Sequence, residues 1–331
     1  MSLLNGRKVL VTGADGFIGS HLTERLLKDG AYVRAFCFYN SQGSRGWLDG
    51  LEPNEPEGLE VVLGDIRDRD VVAAACRDVE VVIHLAALVS IPYSYAAPDS
   101  FLTTNAGGTL NVLEGARAAG CSRVIHTSTS EVYGTPDTVP IREDHALRAQ
   151  SPYSATKIAA DKLCEAYARS FGTPVVVLRP FNTYGPRQSA RAVLPTILTQ
   201  LLAGKTRIAL GNLTPKRDFT FVADTVDAFV RAATASIVPG EVIQLGTGQA
   251  YSVREVFELA TRIVGVEAEI ETRDERVRPA GSEVEILLSD PKRAADVLGW
   301  RAMTTMEAGL QTTAGWLRSW MHRYRPEAYG I

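Results

Sequence analysis

The sequence predicts an α/β fold, with a doubly wound parallel sheet in the first half of the chain and a smaller α/β domain C-terminal to it. Short β-branched runs alternate with helical patterns up to about residue 180, which is typical of a parallel sheet flanked by helices. Several runs are apolar throughout, as strands buried on both faces are. A glycine-rich turn separates the first run from the first helical pattern, as in doubly wound folds.

The predicted strands of the first half are rich in Val, Ile and Leu and are bounded by polar or turn-forming residues. They cover residues 8–13, 31–38, 59–65, 79–85, 123–128 and 175–180. Beyond residue 181 the pattern loosens into Pro- and Gly-punctuated segments with long helices, one of which follows Ser252 as a cap. We expect two stretches there, 217–224 and 241–246, to return strands to the sheet.

This organisation predicts two domains. The first covers residues 1–180, with segments near 218–247 returning to it, and the second covers mainly residues 181–331. No internal repeat or low-complexity tract interrupts the chain.

Composition and charge exclude several classes of function. The 331 residues are 45% hydrophobic and 22% charged, which is typical of a soluble globular protein. The formal net charge of −3 argues against a nucleic-acid or anionic-membrane partner. With no signal-peptide-like N-terminus and no run of the roughly 18 apolar residues that span a membrane, we expect a cytoplasmic protein. We expect no metal site and free thiols, because no C-x-x-C pair joins the four cysteines, Cys37, Cys76, Cys121 and Cys164.

The segment V-L-V-T-G-A-D-G-F-I-G-S-H-L, residues 9–22, forms a G-x-x-G-x-x-G turn between the first predicted strand and helix. Glycine lets the backbone approach a pyrophosphate, whose charge the amides and dipole of a helix N-terminus stabilise. Because the turn lies in the first strand–helix–strand unit, it predicts a Rossmann-type NAD(P)-binding domain. The residues expected at the dinucleotide are Gly13, Gly16, Phe17, Ile18 and Gly19.

Two later strand ends point to the same site. Asp65 and Ile66 follow the third predicted strand, where we expect a carboxylate near the adenine. The fourth strand ends in small residues, where the backbone must pass close to a cofactor. The cofactor contacts expected there are Leu85, Ala86 and Ala87. We expect the neighbouring His84 to be a packed structural histidine.

One feature of a NAD site is missing from the second predicted strand. That strand commonly ends in Asp or Glu, which holds the adenosine ribose of NAD. Here it ends in Phe36-Cys37-Phe38-Tyr39-Asn40, and Arg45 follows within reach of a 2′-phosphate. These residues leave both NAD and NADP open.

A second constellation begins at the end of the fifth predicted strand. T-S-T-S-E-V-Y-G, residues 127–134, gathers four hydroxyls and Glu131 where buried polar atoms are costly unless they are bonded or used. S-P-Y-S-A-T-K then sets Tyr153 and Lys157 four residues apart at the start of a helical pattern. This spacing puts both side chains on one helix face, where the ammonium favours the phenolate form of the tyrosine. A tyrosine so tuned can act as a base near neutral pH.

Together, the glycine turn, the hydroxyl-rich strand end and the Y-x-x-x-K pair resemble the extended short-chain dehydrogenase/reductase family, which includes nucleotide-sugar epimerases and dehydratases. The resemblance covers the chain from Val9 to about Trp316. It implies that Tyr153 is the base for oxidation of a sugar hydroxyl, and that Lys157 holds the nicotinamide ribose of NAD and tunes the tyrosine. It also implies that Thr129 hydrogen-bonds near the reacting C4 oxygen.

Thr129-Ser130-Glu131 is similar to the Thr-Ser-Glu tract of 4,6-dehydratases, whereas 4-epimerases usually carry a small residue in place of the glutamate. The resemblance implies that Glu131 removes the acidified C5 proton once C4 has been oxidised. Water then leaves from C6 with a proton from Glu131 or Ser130, and the sequence leaves both donors open. UDP-glucuronate decarboxylases carry a similar tract, so a decarboxylase or a 4-epimerase stays an alternative. A nicotinamide-sensing regulator is a remote alternative, because such sensors tend to lose the tyrosine and lysine.

The family also implies how substrate is held. The segments after the sixth strand match regions that contact the sugar diphosphate and the nucleotide, and the planar forks of arginines suit phosphate. The expected substrate-binding residues are Asn182, Arg191, Val193, Arg217 and Arg278. Longer runs such as N-T-Y-G-P-R-Q-S-A-R look like the branch that dehydrates nucleotide-linked N-acetylglucosamine on the route to legionaminic acid. UDP and GDP both stay open. Relatives pair through two long helices, which here follow Asn105 and begin near Tyr153, so we expect a homodimer with a four-helix interface.

Overall fold

The computed structural model describes residues 4–51 and 56–327. The strands are β1 (Lys8–Thr12), β2 (Tyr32–Phe38), β3 (Leu59–Gly64), β4 (Val81–His84), β5 (Arg123–Thr127), β6 (Val175–Pro180), β7 (Asn182–Tyr184), β8 (Arg207–Leu210), β9 (Lys216–Phe221), β10 (Val242–Leu245), β11 (Ala250–Ser252), β12 (Glu269–Thr272) and β13 (Ile286–Leu287). The α-helices are α1 (Phe17–Lys28), α2 (Arg69–Cys76), α3 (Ile91–Ala96), α4 (Pro98–Phe101), α5 (Gly108–Ala119), α6 (Pro152–Phe171), α7 (Val193–Leu202), α8 (Val222–Thr234), α9 (Val253–Val264), α10 (Lys292–Leu298) and α11 (Met306–Trp320).

The main sheet has seven parallel strands in the order β10-β6-β5-β4-β1-β2-β3. Helices cover both of its faces, and each face carries its own apolar core. The predicted α/β fold with a doubly wound parallel sheet is therefore confirmed. The strand order reverses between β1 and β4, and the crevice beyond the carboxyl ends of these strands is where such sheets bind ligands.

The prediction for the returning segments was half wrong. β10 does pair with β6 in the main sheet, but β9 lies in a separate sheet with β7, β11 and β13. The sequence of β9 predicts a strand without identifying the partner strand, which depends on the rest of the fold. The element after β9 that returns to the main sheet is helix α8, whose Val226 and Phe229 are buried in one of the two main cores.

A second body of structure packs around helices α7, α9 and α11, with Leu198, Phe257 and Leu310 in its core. Helix α9 begins at the predicted cap, because the Ser252 side chain accepts a hydrogen bond from the amide of Glu255. Helix α10, near the C-terminal end of the described residues, packs in a core of the main sheet. The division of the chain at residue 180 stays a prediction. Within residues 4–51 and 56–327, no helix is long and apolar enough to cross a membrane.

Candidate active site

The glycine turn lies at the reversal point of the sheet, between β1 and α1. Gly13 has a positive φ of 71°, and a Cβ atom there would lie 2.8 Å from the backbone nitrogen of Ala86. A Cβ on Gly19 would collide with the carbonyl of Gly13. Gly16 is the N-cap of α1 and offers no side chain to the first amides of the helix. A helix N-terminus without a side-chain cap, closely packed against the end of β4, fits the pyrophosphate of a dinucleotide.

The other predicted cofactor residues surround this turn. Phe17 and Ile18 form the first turn of α1 and pack against the main core. The backbone amides of Leu85 and Ala86 both donate to the Thr12 hydroxyl at 3.2 Å, which fixes the end of β4 beside the turn. Ala87 follows there and is half-buried.

The residues expected at the adenine lie at the end of β3. Ile66 is buried against Gly108 of α5. The carboxylate of Asp65 accepts a hydrogen bond from the Arg67 guanidinium at 3.0 Å, and this bond lowers the pKa of Asp65. Arg67 was not predicted from the sequence; any hydrogen bond from the adenine to Asp65 must share the carboxylate with it.

Tyr153 lies in the first turn of α6, which begins with a capping box between Ser151 and Ser154. Its ring is 6% exposed and meets the ring of Phe101 edge-on. Burial raises the pKa of Tyr153, a hydrogen bond with the Thr129 side chain opposes the rise, and the charge of Glu131 adds to it. The predicted tyrosine, threonine and glutamate therefore share one pocket.

Lys157 lies one turn further along α6 and is also buried. Its ammonium donates a hydrogen bond of 2.6 Å to the carbonyl of Thr127, at the end of β5. Burial lowers the pKa of Lys157 to about 8, while the charge of Asp161 opposes this shift. The lysine is therefore poised near neutral pH, and its predicted tuning of the Tyr153 pKa stays a prediction.

Asp161 is a site residue that the sequence analysis missed. It lies four residues after Lys157 on α6 and is 4% exposed. Its carboxylate accepts hydrogen bonds from the Ser128 hydroxyl at 2.7 Å and the Arg179 guanidinium at 2.8 Å. Burial raises the pKa of Asp161, but His126, whose Nε2 lies 3.4 Å from Oδ1, and the charge of Arg179 outweigh it and lower the pKa to about 2. An acidic residue at i+4 from the lysine was the signal that could have identified it.

Replacing Asp161 with asparagine is expected to shift the pH profile of kcat/KM to lower pH. The Asp161 charge raises the pKa of both Lys157 and Tyr153, so its loss makes both groups give up their protons at lower pH. The alkaline limb, set by loss of the Lys157 proton, should fall below its wild-type position near pH 8. Ser128→Ala keeps the charge and should leave the profile in place. If the pH profile of Asp161→Asn superimposes on that of the wild type, the Asp161 charge does not set the pKa values of Lys157 and Tyr153 that govern activity.

Thermal melting must accompany this experiment. Without the Asp161 charge, the buried guanidinium of Arg179 loses its ion-pair partner, which costs about 3–5 kcal/mol in typical buried pairs. The pH profile reports the effect on titration only at temperatures where the variant stays folded.

Glu131 lies in a short 3₁₀ turn that follows β5, and the Thr129 hydroxyl caps this turn by accepting from the Glu131 amide. The Glu131 carboxylate is 13% exposed, and its Oε1 lies 4.0 Å from both Arg217 Nε and Arg278 Nη1. A second carboxylate that the sequence analysis missed, Glu283, lies 3.4 Å from Arg217 and 3.7 Å from Arg278. The fold therefore brings the predicted base and two predicted substrate-binding arginines into one charged cluster.

The remaining predicted substrate residues differ in their surroundings. The side-chain oxygen of Asn182 is buried and has no hydrogen-bond partner among the described residues, and its contact with substrate stays a prediction. Val193 is half-buried at the start of α7. Arg191 is exposed, and its guanidinium donates to the hydroxyl of Ser189 at 3.2 Å, outside the Glu131 cluster.

The surroundings of His84 are those of a packed structural histidine. It is buried, with its two ring nitrogens 2.7 Å from the Thr12 hydroxyl and 3.1 Å from the Thr109 hydroxyl. Burial lowers its pKa well below the ordinary value, so the ring is neutral at physiological pH.

Residues 10–313 match the protein family described as GDP-mannose 4,6 dehydratase. A UDP-glucose 4-epimerase of Mycolicibacterium smegmatis is 35% identical over 94% of this chain and 99% of its own length. Other relatives that match along 94% of this chain are named as a dTDP-glucose 4,6-dehydratase and a UDP-glucuronic acid decarboxylase.

Solved structures agree with this grouping. The dTDP-glucose 4,6-dehydratase DesIV of Streptomyces venezuelae, with NAD and TYD bound, superimposes with a TM-score of 0.86 at 30% identity, over 96% of this chain and 99% of that chain. MoeE5 in complex with UDP-glucuronic acid and NAD superimposes with a TM-score of 0.83 at 32% identity, over 94% of this chain and 99% of that chain.

Proposed function

The chain belongs to the GDP-mannose 4,6-dehydratase family within the extended short-chain dehydrogenases/reductases, and on this premise we propose that it is an NAD-dependent nucleotide-sugar 4,6-dehydratase. Its proposed substrate is UDP- or GDP-N-acetylglucosamine and its product the 4-keto-6-deoxy sugar nucleotide. NAD is the proposed cofactor because DesIV and MoeE5 both hold it and the glycine turn fits a dinucleotide. The cytoplasmic location and the homodimer through α5 and α6 stay predictions.

The observation that carries this proposal is the carboxylate of Glu131 in the pocket of Tyr153. The two groups are close enough for the Glu131 charge to raise the pKa of Tyr153. An epimerase needs only the oxidation and reduction of C4, for which Tyr153 and the cofactor suffice. A carboxylate in the same pocket adds a base for the C5 proton of the sugar, and elimination of water requires such a base.

The residues then divide the reaction between them. Tyr153 takes the proton of the C4 hydroxyl, with Thr129 hydrogen-bonding beside it, and bound NAD would supply the hydride chemistry at C4 and C6. Glu131 removes the C5 proton and, once protonated, gives it to the C6 hydroxyl, which leaves as water. A proton from solvent then replaces it at C5 as the hydride reaches C6, and the C4 proton held by Tyr153 passes to solvent. We favour Glu131 over Ser130 as this donor because Ser130 is only 2% exposed, while the Glu131 side chain is 13% exposed.

A second candidate function is decarboxylation of UDP-glucuronate. Arg217 and Arg278 both lie 4.0 Å from Glu131, so they could hold the C6 carboxylate of such a substrate. In the dehydratase the same arginines would leave Glu131 and clamp the diphosphate, as the family resemblance implies.

Mass spectrometry of the reaction mixture separates the two candidates. UDP-N-acetylglucosamine, GDP-N-acetylglucosamine and UDP-glucuronate are each incubated with the purified protein without added NAD. We expect one N-acetylglucosamine nucleotide to lose the mass of one water, since the cofactor is regenerated in every cycle. Loss of carbon dioxide from UDP-glucuronate alone would replace the proposal with the second candidate. Conversion to an isomer of unchanged mass, detected by chromatography, would make the protein an epimerase.

A further inference from the structure

The dinucleotide-binding turn carries an acidic residue that the cofactor prediction did not use. Asp15 lies between Gly13 and Gly16, directly before the N-cap of α1. Its carboxylate does not point back to the helix; Oδ2 accepts a hydrogen bond from the amide of Phe38 at 3.4 Å. Phe38 is the last residue of β2, so the carboxylate lies at the carboxyl end of that strand.

This position matters because the end of β2 is where a dinucleotide site commonly holds the adenosine ribose with an acidic residue. In this chain the strand ends in Phe38, and Tyr39 follows it. The two residues are 58% and 64% exposed and carry no charge. Asp15 therefore brings a negative charge to a place that the strand itself leaves neutral.

The loop after β2 holds Asp15 in place. Gly46 has a positive φ of 61°, and a Cβ atom there would lie 2.9 Å from the Cβ of Asp15. The amide of Trp47 donates to the carbonyl of Asp15 at 3.1 Å. The backbone of the loop thus packs directly on Asp15, and with the Phe38 amide it limits where the carboxylate can go.

The arginine that could favour NADP is engaged elsewhere in this loop. Arg45 Nε donates to a carboxylate oxygen of Asp49 at 3.0 Å. The other oxygen of Asp49 accepts from the Ser44 hydroxyl at 2.7 Å and from the Arg45 amide at 3.1 Å. The charges of Asp49 and Arg45 balance each other. The carboxylate of Asp15 therefore gives the three residues Asp15, Arg45 and Asp49 a net charge of about −1 at this end of β2.

We propose that Asp15 takes over the role of the missing acidic residue of β2, accepting a hydrogen bond from the adenosine ribose of NAD and excluding NADP. A carboxylate offers about four acceptor directions, and the Phe38 amide uses one of them. The 2′-phosphate of NADP would bring up to about two further negative charges to the same place. The inference concerns the choice of dinucleotide and holds whichever sugar nucleotide the protein converts.

The test is calorimetric titration of the full-length protein, freed of bound dinucleotide, with NAD⁺ and with NADP⁺. In Asp15→Asn we expect the affinity for NAD⁺ to fall about tenfold, as for loss of one charge-assisted hydrogen bond. The affinity for NADP⁺ should rise, so that the ratio of the two dissociation constants changes more than tenfold. Asp15→Ser, which is shorter and also neutral, should change the ratio in the same direction and serves if the asparagine variant does not fold.

Asp29→Asn is the matched control. It removes one carboxylate from the opposite end of α1, where Asp29 pairs with Arg25 at 3.0 Å, and it should leave both affinities unchanged. An unchanged ratio in folded Asp15→Asn and Asp15→Ser would overturn the proposal. Equal losses of NAD⁺ and NADP⁺ affinity would overturn it as well, because they would mean that Asp15 only supports the shape of the turn.

Discussion

Replacing Tyr153 with phenylalanine is expected to lower kcat by about 10²–10⁴-fold, the usual contribution of a positioned acid–base group. The substitution removes only the hydroxyl, and the ring keeps its edge-on contact with Phe101. Without the hydroxyl, the group proposed to take the proton of the C4 alcohol is gone. Steady-state kinetics on the substrate identified by mass spectrometry gives the size of the loss.

The loss should be confined to chemistry. Cofactor affinity, measured by calorimetry, should stay within a few-fold of the wild type, since the dinucleotide turn lies on other elements. Tyr167→Phe is the matched control, because it removes a hydroxyl from the same helix, one that donates to Glu114 at 2.6 Å. We expect near-normal turnover for it. Near-normal turnover of Tyr153→Phe would remove this tyrosine from the reaction.

The parts of this site that lie close together in the sequence were predictable. Tyr153 and Lys157 are one helical turn apart, so their common face follows from the geometry of the α-helix alone. The glycine turn is recognisable from its local spacing, and a Cβ atom on Gly19 would collide with the Gly13 carbonyl of the same turn. The main sheet followed from the alternation of strands and helices.

Contacts between distant residues were harder to predict. Nothing in the sequence indicates that Arg217 and Arg278 meet at Glu131, because their approach depends on the packing of the second half of the chain. The partner of β9 was predicted wrongly for the same reason. The sequence of a strand does not identify its partner, because strand pairing depends on the surrounding fold.

The missing carboxylate of β2 is an instructive case. A strand-by-strand comparison with a typical NAD site looks for an acidic residue on β2 and finds Phe38 and Tyr39. The structure has a carboxylate at this position, but it comes from Asp15, on the neighbouring turn. Asp15 precedes β2 in the sequence, so a motif confined to β2 could not reveal it.

Replacing Glu131 with glutamine should separate the oxidation of C4 from the elimination of water. The amide cannot accept the C5 proton, so we expect dehydration to fall by about 10²–10⁴-fold. Oxidation at C4 should persist, because removing the Glu131 charge lowers the pKa of Tyr153 and makes its phenolate easier to form. Reduced cofactor should therefore accumulate when substrate is added, and its absorbance can be followed directly.

A second signal of the same variant is isotopic. In deuterated water, the wild-type product should carry deuterium at C5, because the original C5 proton leaves with water and its replacement comes from solvent, whereas substrate recovered from Glu131→Gln should carry none. Wild-type dehydration by Glu131→Gln would mean that another group removes the C5 proton.

Glu283→Gln is the control for Glu131→Gln, and it shows whether the loss of dehydration comes from proton transfer or from the arginine contacts. Glu283 is as buried as Glu131, at 13% exposure, and pairs with the same two arginines. If Glu131 acted only by holding Arg217 and Arg278, both glutamine variants would lose dehydration to a similar extent and neither would accumulate reduced cofactor. If Glu131 is the C5 base, only its variant should stop after C4 oxidation, because Glu283 lies outside the Thr-Ser-Glu tract and, of the two glutamates, only Glu131 acts on the pKa of Tyr153. Accumulation of reduced cofactor in one variant and not the other therefore assigns the proton transfer to a single carboxylate of the pair.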